Sequence, residues 1–300
     1  MTDSKPLSAT ELARVTCKSD LRGVWCITSQ WAITIAIFVA MAVWTNALSI
    51  AIGLVLLGGR QLGFFVLTHE TGHRTLFKTQ WLNDFVGTWL TSPLDYSNGQ
   101  SYMREHLLHH RAVGTREDPD LANYQDYPIP RARLKRKLWR DFSGRTGWRN
   151  LSAKYKAMGQ MRNLSAEDRA ALRRGILVNG LMLGTMIWFG VAWLYLVWMG
   201  AQIFIYPAIV RIRQIAEHAA VPDLTSSDVR ENTRTSLANP LVRLVLCPHQ
   251  VNYHVEHHLY ASIPIYRLRE THEILRANGF FAQVIVTRGY GNVLKGLISA

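Results

Sequence analysis

The chain has 300 residues, enough for one or two domains, and 48% of them are apolar although the mean hydropathy is zero. A formal charge of +13 suits nucleic acid, anionic lipid or an acidic protein partner. No zinc-finger or RNP motif is present, which sets nucleic acid aside. Cys17, Cys26 and Cys247 are odd in number and form no CxxC pair, which argues against a disulfide framework and a thiolate metal site.

The polar N-terminal stretch reaches about Asp20. The apolar run after it is too long for a signal-peptide core and has no cleavage-like end. Residues 25–44 form an uncharged run with Trp25 and Trp44 at its ends, which predicts a first span with an interfacial belt. Residues 47–68 predict a second span despite Arg60 and Gln61. A central arginine costs about 3 kcal/mol on the insertion scale, and the surrounding Leu, Ile, Val and Phe outweigh it at about 0.3–0.6 kcal/mol each. Arg60 is expected to snorkel or to face the bundle interior. With only a few residues between the runs, Thr45 and Asn46 among them, the two spans form a hairpin.

Residues 81–96 are broken by Asn83, Asp84 and Pro93 and predict an interfacial or re-entrant helix. Residues 124–133, rich in Pro and charge, predict a loop. Ser165 reads as the N-cap of a helix, with Asp168 reaching back. The uncharged block from 176 to 210 is too long for one span. A break near 189–191 divides it into spans 176–190 and 192–210, a second hairpin anchored by Arg211 and Arg213. Residues 263–278 predict an amphipathic helix stopped by Gly279, and 280–286 a short strand. The turns of both hairpins carry no charge, whereas the N-terminal tail and the segment from Arg104 to Arg174 are dense in Arg and Lys. The positive-inside rule then places both termini in the cytoplasm. The expected fold is an all-α membrane protein of one domain, 1–300, with four transmembrane helices in two hairpins. A cytoplasmic helical cap would comprise residues 69–175 and 211–300.

Histidine placement carries the functional information. Of eleven histidines, eight fall in three clusters: His69-Glu-Thr-Gly-His73, His106-Leu-Leu-His109-His110 and His254-Val-Glu-His257-His258. His218 stands alone, a turn or two beyond the last span. On a helix, positions i, i+3 and i+4 share a face, so each cluster aims its imidazoles at one point. Such a grouping serves metal ligation or proton relay, and imidazole suits Zn, Cu, Fe and Ni. Nine such residues at the cytoplasmic end of a bundle are too many for one metal and fit two. His69-Glu70-Thr-Gly-His73 also matches the HExxH of zinc proteases, with Glu70 as general base, but that reading leaves the other clusters without a role. A metal transporter would place its ligands inside the spans, which here are almost free of His, Asp and Glu.

At these residues the chain resembles the membrane fatty acid desaturase–hydroxylase superfamily, the three-histidine-box di-iron oxygenases, over about 25–279. Arg104-Glu-His-Leu-Leu-His-His-Arg, Gly114-Thr-Arg-Glu-Asp-Pro-Asp120 and Asn252-Tyr-His-Val-Glu-His-His-Leu-Tyr260 carry the resemblance. It implies two non-haem iron ions on His69, His73, His106, His109, His110, His218, His254, His257 and His258. It also implies O2-dependent introduction of a double bond into a fatty acyl chain of a lipid. The external electron donor would be of ferredoxin or cytochrome b5 type; the basic cap around 131–140 suits its docking and suits lipid headgroups equally. Lipid or carotenoid hydroxylases and ketolases of the same superfamily are the alternative, and the HxxxH first box fits acyl-lipid desaturases, hydroxylases and ketolases alike. In related acyl-CoA desaturases an Asn one turn before the extra histidine touches a water on the metal; Gln214 stands there in this chain. Ala261 replaces a proline common in relatives, a change expected to alter a local turn. Glu70, Glu105, Glu217, Glu256 and Asn252 flank the ligands and are candidates for orienting them. His249 lies off the third cluster's face and reads as structural. His272 reads as a surface residue.

Overall fold

A computed structural model of the chain describes residues 6–299. Helix α1 (Ala9–Val15) starts at a capping box in which the Ser8 hydroxyl accepts from the Glu11 N–H and the Glu11 carboxylate accepts from the Ser8 N–H. Helix α2 (Asp20–Val43) and helix α3 (Ala47–Gly72) form the first long pair, and the Asn46 side chain caps α3 through the Ser49 N–H. From Leu57 to Thr71 every residue of α3 except Phe65 is buried, so α3 is the central strut. Close packing there needs small residues. A Cβ on Gly59 would lie 2.7 Å from the Val245 Cα, and one on Gly58 would lie 2.5 Å from an Ile205 methyl.

A short helix α4 (Gln80–Phe85) runs into a π-helical turn, Val86–Thr91, and a 3₁₀ turn, Ser92–Asp95. The expected break around Pro93 is therefore real, and no continuous span forms there. Helix α5 (Gly99–Ala112) follows, then one turn, α6 (Leu121–Tyr124), and the basic pair α7 (Arg131–Phe142) and α8 (Arg145–Gly159). The loop expected over 124–133 is shorter than that. Ile129–Pro130 pairs in parallel with Ile298–Ser299, and α7 already begins at Arg131.

Helix α9 (Ala166–Trp188) is capped by Ser165, whose hydroxyl accepts from the Asp168 N–H at 3.0 Å. It ends at Gly190, whose φ of +71° is the left-handed turn that glycine permits. Helix α10 (Trp193–His218) completes the long helices, with a π-helical turn at Ala201–Ile205. Pro207 lacks the N–H that a regular turn would need there, which accounts for the distortion.

Among the described residues three helices, α2, α3 and α10, are long and apolar enough to cross a membrane. The segment expected as span 176–190 is only the end of α9, whose first turns carry Glu167, Asp168, Arg169, Arg173 and Arg174. Its uncharged part, from Ile176 to Trp188, covers roughly 20 Å at 1.5 Å per residue, short of the ~30 Å hydrocarbon core. The segment expected as 192–210 instead continues unbroken to His218. Trp25, Ile35, Val39, Leu181, Ile187 and Trp188 are exposed on the outside of the bundle, as lipid-facing side chains are.

In the C-terminal part, helix α11 (His254–Leu259) packs between helix α12 (Leu268–Ala277) and the strand segment Thr235–Leu237, which pairs in parallel with Val286–Arg288. The strand expected over 280–286 thus starts at Val286, and Phe280–Gln283 is a 3₁₀ turn. The stop at Gly279 holds, with φ +77°.

Candidate metal centre

Four helix ends converge at one end of the bundle. The C-terminus of α3 brings His69 and His73, α5 brings His106, His109 and His110, the last residue of α10 is His218, and α11 brings His254, His257 and His258. Each supporting helix has a local reason to sit there. The Asn98 side chain accepts from Gln100 and Ser101 N–H to start α5. Helix α11 has only six residues and is held from outside, where the Val255 N–H donates to the Thr235 hydroxyl at 3.3 Å.

The ring nitrogens of His69, His73, His106, His110 and His257 lie within 4.8 Å of one another, and so do those of His109, His218 and His258. His254 joins the second group, its Nε2 standing 2.9 Å from that of His218 and 3.1 Å from that of His258. In the first group Nε2 of His69 and His106 are 2.7 Å apart, His106 and His110 2.9 Å, and His110 and His257 3.0 Å. The two groups adjoin through His110 and His258, whose rings are 4.5 Å apart. All nine histidines expected at the site are therefore brought together, as five and four.

The outward nitrogens are tied down. His109 Nδ1 is 2.8 Å from Asp118 Oδ1, and the Tyr124 hydroxyl donates to the other Asp118 oxygen. His69 Nδ1 is 3.1 Å from Glu70 Oε1. His218 Nδ1 donates to the Asn232 carbonyl at 3.2 Å. Carboxylate and carbonyl oxygens only accept, so these Nδ1 atoms carry the protons and the Nε2 lone pairs face inward. Facing lone pairs repel unless something positive lies between them. His73 Nε2 is buried with no hydrogen-bond partner. Burial holds His73 down at about 4 and His110 at about 3, and it also pushes His106, His254, His257 and His258 well below the ordinary histidine range. Neutral imidazoles are the form that binds metal.

The flanking residues divide. Glu70 touches His69, and its other oxygen accepts from the Thr75 hydroxyl at 2.9 Å and the Ile265 N–H at 3.0 Å. Glu217 is bonded by Arg213 at 2.7 Å and stands 3.6 Å from His254 Nε2. Glu105 is exposed and Gln214 half-buried; both border a cavity of about 290 Å3 lined by His106, His109, His218 and His254. Asn252 is buried with its Oδ1 unpartnered, and its carbonyl accepts from Ser236 at 3.2 Å. Glu256 turns away from the cluster to His272 and to the Thr235 hydroxyl.

His272 corrects an expectation. It is buried rather than on the surface, because the polar face of α12 packs onto Glu256 beneath the third cluster. His249 is structural as expected: it adopts φ +55° and its Nε2 stands 3.1 Å from Gln30 Oε1. Arg60 faces the interior, donating to Gln30 Oε1 at 3.0 Å and to the Leu244 carbonyl. Arg213, expected as a membrane-edge anchor, is instead buried and donates to Glu217 at 2.7 Å. Sequence reasoning gave no role to Asp118 or Asn232. For Asp118 a signal existed, an acidic run a few residues beyond the HxxHH helix; the Asn232 carbonyl left none.

The family model described as "Fatty acid desaturase" matches residues 42–286. The chain belongs to the fatty acid desaturase family. It is therefore an oxidoreductase, and its apolar helices make it a membrane protein. Among its relatives is an sn-1 oleoyl-lipid 12-desaturase of Synechocystis, 28% identical over 72% of this chain and 65% of that protein. A dihydrorhizobitoxine desaturase of Bradyrhizobium elkanii is 25% identical over 82% of this chain and 72% of its own length. A beta-carotene ketolase of Paracoccus is 25% identical over 70% of this chain and 74% of its own length. The chain thus spans just under two thirds of the first of these relatives.

Proposed function

We propose that the chain is an O2-dependent di-iron desaturase that introduces a double bond into a fatty acyl chain of a lipid. The observation that carries this reading is the convergence of nine imidazoles, with the Nδ1 atoms of His69, His109 and His218 turned outward onto oxygen acceptors and their Nε2 atoms turned inward. The donor set fits two metal ions of the iron type. His69, His73, His106, His110 and His257 would hold one, and His109, His218, His254 and His258 the other. Bound there, the iron pair supplies reductive activation of O2 and abstraction of hydrogen from an unactivated C–H bond. The chain's own contribution is orientation: Asp118, Glu70 and the Asn232 carbonyl fix the rings, and the buried cluster excludes bulk water.

The zinc-protease reading loses support at Glu70. Its carboxylate sits on the outer nitrogen of His69 and on Thr75 and Ile265, turned away from the space where a general base would meet water. The ketolase relative favours a second reading, a hydroxylase or ketolase of the same superfamily.

For the whole protein we take a single domain of four spans in two hairpins, with both termini and the site on the cytoplasmic side. The exposed cations Arg131, Arg133, Lys135 and Arg136 on α7 offer a docking face for an acidic electron carrier of ferredoxin or cytochrome b5 type. With a soluble substrate, turnover should then fall as salt rises.

Expression in a host of known lipid composition, followed by mass spectrometry of total lipids, tests the reaction. Loss of two hydrogens from an acyl chain supports desaturation, whereas gain of one oxygen transfers the assignment to hydroxylation. Iron content of about two per chain is expected from the donor count, and a single zinc in its place would end the reading.

A further inference from the structure

Among the described residues, three unpaired polar groups away from the histidines meet at one place inside the bundle. Gln61 on α3 donates its Nε2 to the Trp198 carbonyl at 2.9 Å, which leaves Oε1 buried and unpartnered. Gln202 on α10 donates its Nε2 to the Asp95 carboxylate, and its Oε1 is likewise unpartnered. Trp198 is 2% exposed, and its indole N–H has no acceptor. The first two residues are each 8% exposed. Because both amide nitrogens are committed to acceptors, the free atom of each glutamine is its oxygen.

These three residues line one partly open pocket of about 20 Å3, walled also by Leu94, Thr91 and Phe65. That is room for one water or one hydroxyl. Both π-helical turns reach it, Val86–Thr91 through Thr91 and Ala201–Ile205 through Gln202. Such turns recur where a helix gives up regularity for function. The pocket shares Phe65, Asp95, Gln202 and Tyr206 with a cleft of about 370 Å3. That cleft in turn shares Phe65, Val210 and Gln214 with the cavity on the histidines. Gln61 lies about 12 Å along α3 from His69, at 1.5 Å per residue.

We infer that this pocket receives a hydroxyl carried by the part of the substrate that penetrates deepest between α3 and α10. The proposal rests on the desaturase reading, since it takes a chain that passes the histidine cavity. A hydroxyl donates once and accepts twice, so it can give its proton to one of the two glutamine oxygens and accept from Trp198, which satisfies two of the three unpaired groups. A methyl end would bury two carbonyls and an indole N–H with nothing to bond. A ketone would leave both glutamines unsatisfied.

The test compares a saturated long-chain acyl lipid with its counterpart hydroxylated at the far end of the chain, on the full-length, iron-loaded protein. Binding is read by native mass spectrometry and products by lipid analysis. The hydroxylated chain should bind at least ~10-fold more tightly. That preference should vanish in Gln202→Leu and in Trp198→Phe, with iron content unchanged, and Gln61→Leu serves where either fails to fold. Equal binding of the two chains by the native protein is the result of a pocket that holds only ordered water, and it overturns the proposal. A preference that persists in the folded variants overturns it too. A binding preference with no hydrogen lost from any chain would instead sink the desaturase reading and leave the pocket standing.

Discussion

Three rings of the cluster, His69, His109 and His218, meet an oxygen acceptor at the outer nitrogen that turns the inner one towards the site. His109 and Asp118 make the clearest pair, at 2.8 Å and both buried. His109→Ala should abolish activity and lower bound iron without preventing membrane insertion. Asp118→Ala leaves every imidazole in place and frees one to rotate. Orienting partners of metal ligands are worth 10–100-fold in affinity or activity, so an iron affinity lower by about that factor is expected. Iron titration of the purified variant measures it, and native affinity would remove Asp118 from the orienting set. Acid acts on the same residues. Burial holds His73 at about 4 and His110 at about 3, whereas an unfolded histidine titrates near 6.5. Between those values the unfolded chain binds more protons than the folded one. The metal-free protein should therefore lose stability as pH falls from about 6.5 towards 4, and recover it on return. An acid titration followed by circular dichroism checks the sign.

Helix α3 has one side that tolerates no added atom, whereas α9 has a face that does. The backbone of residues 244–245 crosses Gly59 so closely that a Cβ would meet the Val245 Cα at 2.7 Å and the Leu244 carbonyl at 2.9 Å. Arg60 and Gln30 pin the same crossing, and His249 continues it towards the third cluster. Gly59→Ala should cost about 1–3 kcal/mol by overpacking against backbone that cannot yield, and should reduce bound iron by displacing the segment that carries His254. Gly180 on α9 has nothing within 4 Å, so Gly180→Ala should instead stabilise, by about 0.5–1 kcal/mol. Thermal unfolding in one detergent compares the two. The contrast marks what was legible beforehand. The three boxes and His218 could be read because helical spacing is local, and α2 and α3 because apolar length is local, Arg60 notwithstanding. The crossing at Gly59, the burial of His272 and the turn of Glu256 away from the cluster depend on contacts between distant segments, which no spacing encodes. The shortfall of α9 was visible as charge before Ile176, yet the uncharged block hid it, because hydropathy locates apolar residues and not helix ends.

At the scale of the whole molecule, cations and apolar faces have to agree on one side of the membrane. Arg173 and Arg174 open the apolar part of α9, and Arg211 and Arg213 lie near the far end of α10, with the tight turn at Gly190 between them. If α9 crosses, its short apolar part requires local thinning or snorkelling of these arginines, at fractions of a kcal/mol per Å. Arg174 already lies over the Trp89 ring at 5.9 Å, as a snorkelling side chain would. Four crossings put Cys17, Arg174 and Arg211 on the cytoplasmic side and both Thr45 and Phe189 outside. The native cysteines make this testable, because Cys17 is exposed while Cys26 and Cys247 are buried. A membrane-impermeant maleimide should label Cys17 only after the cells are opened. In a Cys17→Ser background, Thr45→Cys and Phe189→Cys should both be labelled in intact cells, since both side chains are exposed at their turns. Labelling of Thr45→Cys alone would leave α9 on the cytoplasmic surface. That outcome would make three crossings an odd number and put His218 of α10 opposite the histidines of α3, which its 2.9 Å contact with His254 in the shared cluster does not allow. A re-entrant α9–α10 pair would then be required in place of the second hairpin.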